Sequence, residues 1–141
     1  MQETTFQLAH FNDFLTIARQ QEEPQTLLIV LARRELPTGY TEEQKQRFDR
    51  GEGGHLAPQA AVDKRPEELT NFSGLVSEAS QMVQDWDAVF VAALLGQNGQ
   101  APREANIDQE LERMVQAIRD GRINQFLVFD RQGAPMALEV G

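Results

Sequence analysis

Thr26-Leu27-Leu28-Ile29-Val30-Leu31-Ala32 is the stretch from which the fold is read. Every residue after the threonine is apolar, Ile29 and Val30 are β-branched, and the run has the length of a strand rather than of a helix. A strand with one wet face alternates apolar and polar side chains. A continuous apolar run needs cover on both faces, as a central strand has. Ala88-Val89-Phe90-Val91-Ala92-Ala93-Leu94-Leu95 repeats the pattern over eight residues and is also expected at the sheet centre. Two such strands call for helices on both sides of one sheet.

The sequence around these runs supplies the helices. Phe11, Phe14, Leu15 and Ala18 follow the spacing of one helix face and predict a helix ending near Gln21, before Pro24. Thr41 with Gln44 three residues on is a capping box, opening a short helix that Gly51 terminates. His55 to Val62 reads as a weaker strand. Pro58 has no N–H to give a ladder, which points to an edge or a strand start. Pro66 is expected in the first turn of a helix whose buried stripe runs from Leu69 through Phe72, Leu75 and Ala79 to Val83. Asn106 and Gln109 suggest the start of a helix carrying Leu111, Met114, Val115 and Ile118, ended by Asp120-Gly121. Phe126 to Phe129 is a strand, and Asp130-Arg131-Gln132-Gly133 turns it back into Met136 to Val140.

The resulting order is α-β-α-β-α-β-α-β-β. Alternation through helical connections predicts an α/β fold: a mostly parallel four- to five-stranded sheet with flanking helices and a C-terminal β-hairpin. The 141 residues are expected to form a single globular domain, 1–141.

Composition narrows the chemistry. Thirteen basic against 22 acidic side chains leave a net charge of −9, which argues against nucleic acid as a partner. The absence of cysteine removes disulfides, thiolate catalysis and Cys-based metal centres. The longest apolar run has eight residues, too few to span a bilayer. The opening segment MQETTFQLAHFND has neither a basic n-region nor an apolar h-region, so no signal peptide is expected and the cytoplasm is the expected compartment.

A parallel sheet would bring the loops after its strands to one edge, where ligands of open α/β sheets bind. Those loops hold Arg33 and Arg34, then Lys64 and Arg65, then Gln97, Asn98 and Arg103. Arginine recognises carboxylate or phosphate bidentately, and Gln and Asn add neutral donors. These seven residues are therefore the candidate anion-binding set, against the plainer reading that they pair with local Glu35, Glu67 and Glu104. Gly51-Glu52-Gly53-Gly54-His55 follows a helix rather than a strand and lacks the Lys-Ser/Thr pair of a phosphate loop. His10 and His55 lie far apart and neither has a partner at metal-ligand spacing, so no metal and no cofactor are expected. Serines occur only at 73, 77 and 80, without a nucleophile elbow, and no two carboxylates pair for acid–base work.

Val62-Asp63-Lys64-Arg65-Pro66-Glu67-Glu68-Leu69, Val89 to Arg103, and Glu112 to Gly133 resemble a family of small proteobacterial proteins. These proteins carry the label ribonucleotide reductase subunit alpha. The resemblance covers most of the chain and implies a bacterial cytoplasmic protein with no established activity and no site residue to carry over. Ribonucleotide reduction runs through a cysteine radical, so a cysteine-free chain is not a catalytic subunit of that enzyme. The expected function is a non-catalytic binding or accessory module that self-associates or meets a protein partner through a sheet edge or helix face. The alternative is a binder of, or enzyme on, an anionic small molecule at the C-terminal edge of the sheet. The purified chain should reduce no ribonucleotide under any reductant; deoxynucleotide formation that depends on its own residues would contradict this.

Overall fold

Strand β1 (Gln25–Glu35) is buried at every position from Gln25 to Ala32, the apolar run Leu27 to Ala32 together with the polar Gln25 and Thr26 before it. The computed structural model describes residues 9–136. In it β1 joins β2 (His55–Lys64), β3 (Ala88–Leu95) and β4 (Leu127–Phe129) in one sheet of order β2-β1-β3-β4. Helices α1 (Phe11–Arg19), α3 (Phe72–Met82) and α4 (Glu104–Arg119) cover the sheet, and a short α2 (Glu42–Asp49) sits between β1 and β2.

Alternation along β1 sends its side chains into two separate cores. Leu27, Ile29 and Leu31 pack with Phe11 and Leu15 of α1, Leu75 and Ala79 of α3, and Val89, Val91 and Phe129 of the neighbouring strands. Leu28, Val30 and Ala32 face the other way and meet Ile107, Met114 and Ile118 of α4 with Phe90. Trp86 is 2% exposed and closes the first core just before β3. The three-layer arrangement follows from the two apolar runs.

The direction of the strands does not match the expectation from element order. All three pairings, β1–β2, β1–β3 and β3–β4, are antiparallel, so the sheet is not mostly parallel. For the β1–β2 pairing the physical cause lies in α2. A crossover that returns a chain parallel must lay a buried stripe on the sheet, and Glu-Glu-Gln-Lys-Gln-Arg-Phe-Asp buries no residue at all. The chain leaves the end of β1, makes α2 off that end and comes back antiparallel. β2 and β3 are both antiparallel to β1, so they run parallel to each other across α3 with β1 inserted between them.

Two local expectations are also corrected. Pro66 opens a 3-10 turn, Pro66–Glu68, rather than α3. The Arg19 guanidinium takes the carbonyls of Leu69 and Thr70, which a continuous helix would have used. The helix restarts at Asn71, whose side chain accepts the Gly74 N–H at 3.0 Å. α4 begins at Glu104 with Arg103 as its cap residue, two positions before Asn106. The turn Asp130 to Gly133 forms, with Asp130 Oδ1 accepting from Gln132 and Ala134 at 2.9 Å each. The final strand, Met136 to Val140, lies beyond the described residues after Met136, whose N–H donates to Val128 O at 2.8 Å.

His10 joins the first helix to this last turn. Its Nδ1 accepts the Asn12 N–H at 3.0 Å and caps α1, while Asp13 completes the box by accepting the His10 N–H at 3.0 Å. The other ring nitrogen donates to the Gln132 carbonyl at 2.9 Å. Phe11 N–H donates to the Gly133 carbonyl at 2.8 Å. A Cβ on Gly133 would stand 2.5 Å from His10 Nε2, and the residue has φ +84°, so glycine is required twice over. Asn12 Oδ1 accepts the Phe72 N–H at 2.8 Å, which pins the start of α3 to the start of α1.

Val89 is fully buried between β1 and β4. Val89→Asp should leave the chain unfolded by far-ultraviolet circular dichroism. An unpaired buried carboxylate costs several kcal/mol against a total of about 5–15.

Candidate functional site

Antiparallel pairing decides where the seven candidate anion-binding residues go. Glu35 of β1 stands opposite His55, whereas Leu27 stands opposite Lys64 and Gln25 opposite Leu95. Arg33 and Arg34 therefore sit at one end of the sheet. Lys64 and Arg65 leave β2 at the other end, the same end from which β3 runs into Gln97 and Asn98 and on to Arg103. The topology splits the set into two groups rather than gathering it at one edge.

Each group has local partners. Arg33 pairs with Glu35 at 2.8 Å, and that hydrogen bond raises its pKa. Arg34 stacks over the Phe48 ring at 4.3 Å and donates to the carbonyls of Phe48, Glu52 and Gly53 at 3.1–3.4 Å. It thus organises the Gly51–His55 stretch as a turn, where Gly51, Gly53 and Gly54 all have positive φ. Its own backbone N–H donates to Asp87 Oδ2 at 2.7 Å. At the other end Lys64 donates to Glu78 of α3 at 2.8 Å, and this bond raises the lysine pKa. Arg65 is exposed, its backbone N–H held by Glu68 at 3.0 Å. Gln97 and Gln100 exchange backbone hydrogen bonds at 2.9 Å around Asn98 (φ +55°) and Gly99, whose N–H donates to Glu23 at 2.7 Å. Arg103 is exposed at the start of α4.

The two outer strands differ in how they end the sheet. β4 has three residues, and the chain returns over it through Pro135 and Met136. β2 has ten residues and is hydrogen-bonded to β1 alone among the described strands. Every second residue of such a strand points its N–H and C=O away from the sheet. The first half of β2 is blunted. Pro58 has no N–H, and Gln59 is an extra residue, because Ala60 faces Leu31 while Pro58 already faces Ala32. The second half, Ala60 to Lys64, keeps unbroken register with Leu31 to Leu27.

That second half carries no protecting charge before Asp63. Ala60 and Val62 lean into the core beneath α1 and α3. Ala61 is exposed on the opposite face, and Asp63 with it. The Lys64–Glu78 pair holds the strand end against α3. Pro58 signals the edge position in the sequence. The uncharged run Ala60-Ala61-Val62 that follows is also visible there. No protein-family model, curated protein or solved structure matches the chain.

Arg34→Ala should lower stability by about 1–3 kcal/mol in chemical denaturation, because three carbonyls lose a charged donor and Phe48 loses its stacking partner. Arg33→Ala, which breaks only an exposed pair, should cost less than about 1 kcal/mol in the same measurement.

Proposed function

We propose that the chain is a non-catalytic binding module that pairs with a second copy of itself along β2, joining two four-stranded sheets into one of eight strands. The observation that supports this is the uncharged run Ala60-Ala61-Val62, in unbroken register with β1, on a ten-residue outer strand. Its free backbone groups have no side-chain guard between Gln59 and Asp63.

Self-pairing suits the local sequence. In an antiparallel register with the two-fold axis at Ala61, Ala60 stands opposite Val62 and Gln59 opposite Asp63 of the second copy. Pro58, which lacks a donor, falls at the rim opposite Lys64. No like charges meet. A register centred on Asp63 would instead set two carboxylates face to face, which is destabilising in a cross-strand pair. Only small side chains stand near the axis, so the two backbones approach without repacking. A net charge of −9 on each copy opposes association at long range and is screened over roughly 10 Å at 0.1 M salt. The same charge repels a phosphate backbone, and the reading includes no nucleic-acid role. Among the described residues no helix is long and apolar enough to cross a membrane.

Sedimentation velocity over a concentration series tests the proposal. A dimer should form and strengthen with added salt. Ala61→Lys, a charge of the kind that guards edge strands, should give a monomer while stability stays within about 0.5 kcal/mol of the parent. Because the chain has no cysteine of its own, Ala61→Cys should form an intermolecular disulfide on mild oxidation. Cysteine at exposed Ala101 should not. A parent that stays monomeric at all concentrations, or an Ala61→Lys variant that still dimerises, would overturn the reading.

A further inference from the structure

The second half of β3 is less well covered than the first. Its burial falls from complete at Ala88 to Val91 to partial at Ala92 and Leu94, whose side chains face α4. There a cleft of about 380 Å³ opens between the sheet, α4 and the segment that follows α4. Its floor is apolar, made by Leu28, Ala92, Leu94, Met114 and Phe126. The alanine at 92 leaves the hollow, since a larger side chain would fill it. Arg113 and Arg122 stand at its rim.

From this geometry we infer that the cleft binds a small aromatic or aliphatic monocarboxylate, apolar body on the floor and carboxylate between Arg113 and Arg122. The volume lies in the range of small-molecule sites, which combine an apolar lining with a few placed polar groups. Both arginines already hold carboxylates, Arg113 with Glu110 at 2.8 Å and Arg122 with Asp120 at 3.1 Å. Those pairs are short-range partners on the surface, with each arginine side chain about two-thirds exposed. Exposed pairs of this kind contribute little, so exchanging them for a ligand carboxylate costs little. Glu110 lines the cleft too, so a ligand carboxylate takes its place on Arg113. A dianion such as phosphate, with no apolar body, gains nothing from the floor.

The cleft lies on the β1–β3 face and shares no residue with the outer half of β2, so it stands or falls separately from self-pairing. Phenylacetate is the probe, followed by ligand-observed NMR on the full chain. The neutral analogue 2-phenylethanol and inorganic phosphate are the comparisons. Phenylacetate should bind saturably, and the alcohol and phosphate at least about tenfold more weakly, a difference of about 1.4 kcal/mol. Arg113→Gln with Arg122→Gln should remove that preference for the acid. Ala92→Leu, which fills the floor, should abolish binding of acid and alcohol alike. Ala61→Lys should bind phenylacetate as the parent does. The inference is overturned if phenylacetate does not saturate, if the alcohol binds as tightly, or if the double arginine variant keeps the preference. The arginine variants change exposed side chains only, so they decide the matter even if Ala92→Leu does not fold.

Discussion

β1 has no face that can be left in water, and the architecture follows from that constraint. Eight consecutive buried positions need two sheet neighbours and a helical layer on each side. β2 and β3 supply the neighbours; α1 and α3 cover one face and α4 the other. The polar backbone of so deeply buried a strand is satisfied only by the ladders on either side. The outer strands can afford irregularity for the same reason that β1 cannot. Pro58 and the bulge at Gln59 lie on β2, where one side of the ladder is already open.

The burial of Thr26–Ala32 and Ala88–Leu95 is legible in the sequence, because continuous apolarity has one common structural meaning in a chain without membrane-length segments. The capping box at Thr41 and the edge position of β2 are legible for equally local reasons. Strand direction is not. Between β1 and β2 it depends on whether the helix lies on the sheet or beside its end, and in α2 only Phe48 could have signalled the difference. Phe48 is spent under Arg34 rather than against the sheet. The break between Pro66 and Asn71 is hidden for another reason. The donor that interrupts the helix, Arg19, lies some fifty positions earlier in the chain.

The grouping of Arg33, Arg34, Lys64, Arg65, Gln97, Asn98 and Arg103 rested on the parallel sheet. Arg33 and Arg34 lie within β1 and Lys64 ends β2 rather than standing in loops, and antiparallel pairing sends two of the seven to one end of the sheet and five to the other. Arg34 shows how a basic residue at a strand end can serve a neighbouring turn, by collecting carbonyls that tight glycine turns leave pointing inward. Arg113 and Arg122 carry no comparable mark in the sequence. On α4 and just after it they look like ordinary solvent-facing charges, and only the gap over Ala92 gives them an apolar floor to guard.

The contact between His10 and the Gln132–Gly133 turn reaches across 122 positions of the chain. The first helix leaves the ribosome early, yet the carbonyls that receive the His10 ring and the Phe11 N–H are made more than a hundred residues later. At roughly 5–20 residues per second, α1 spends several seconds without the turn that seats its first residues. Through that interval Phe11, which belongs under Phe129, has no completed core to enter. Vectorial synthesis therefore cannot finish this fold from its N-terminus forward. The first core closes only when the last turn arrives.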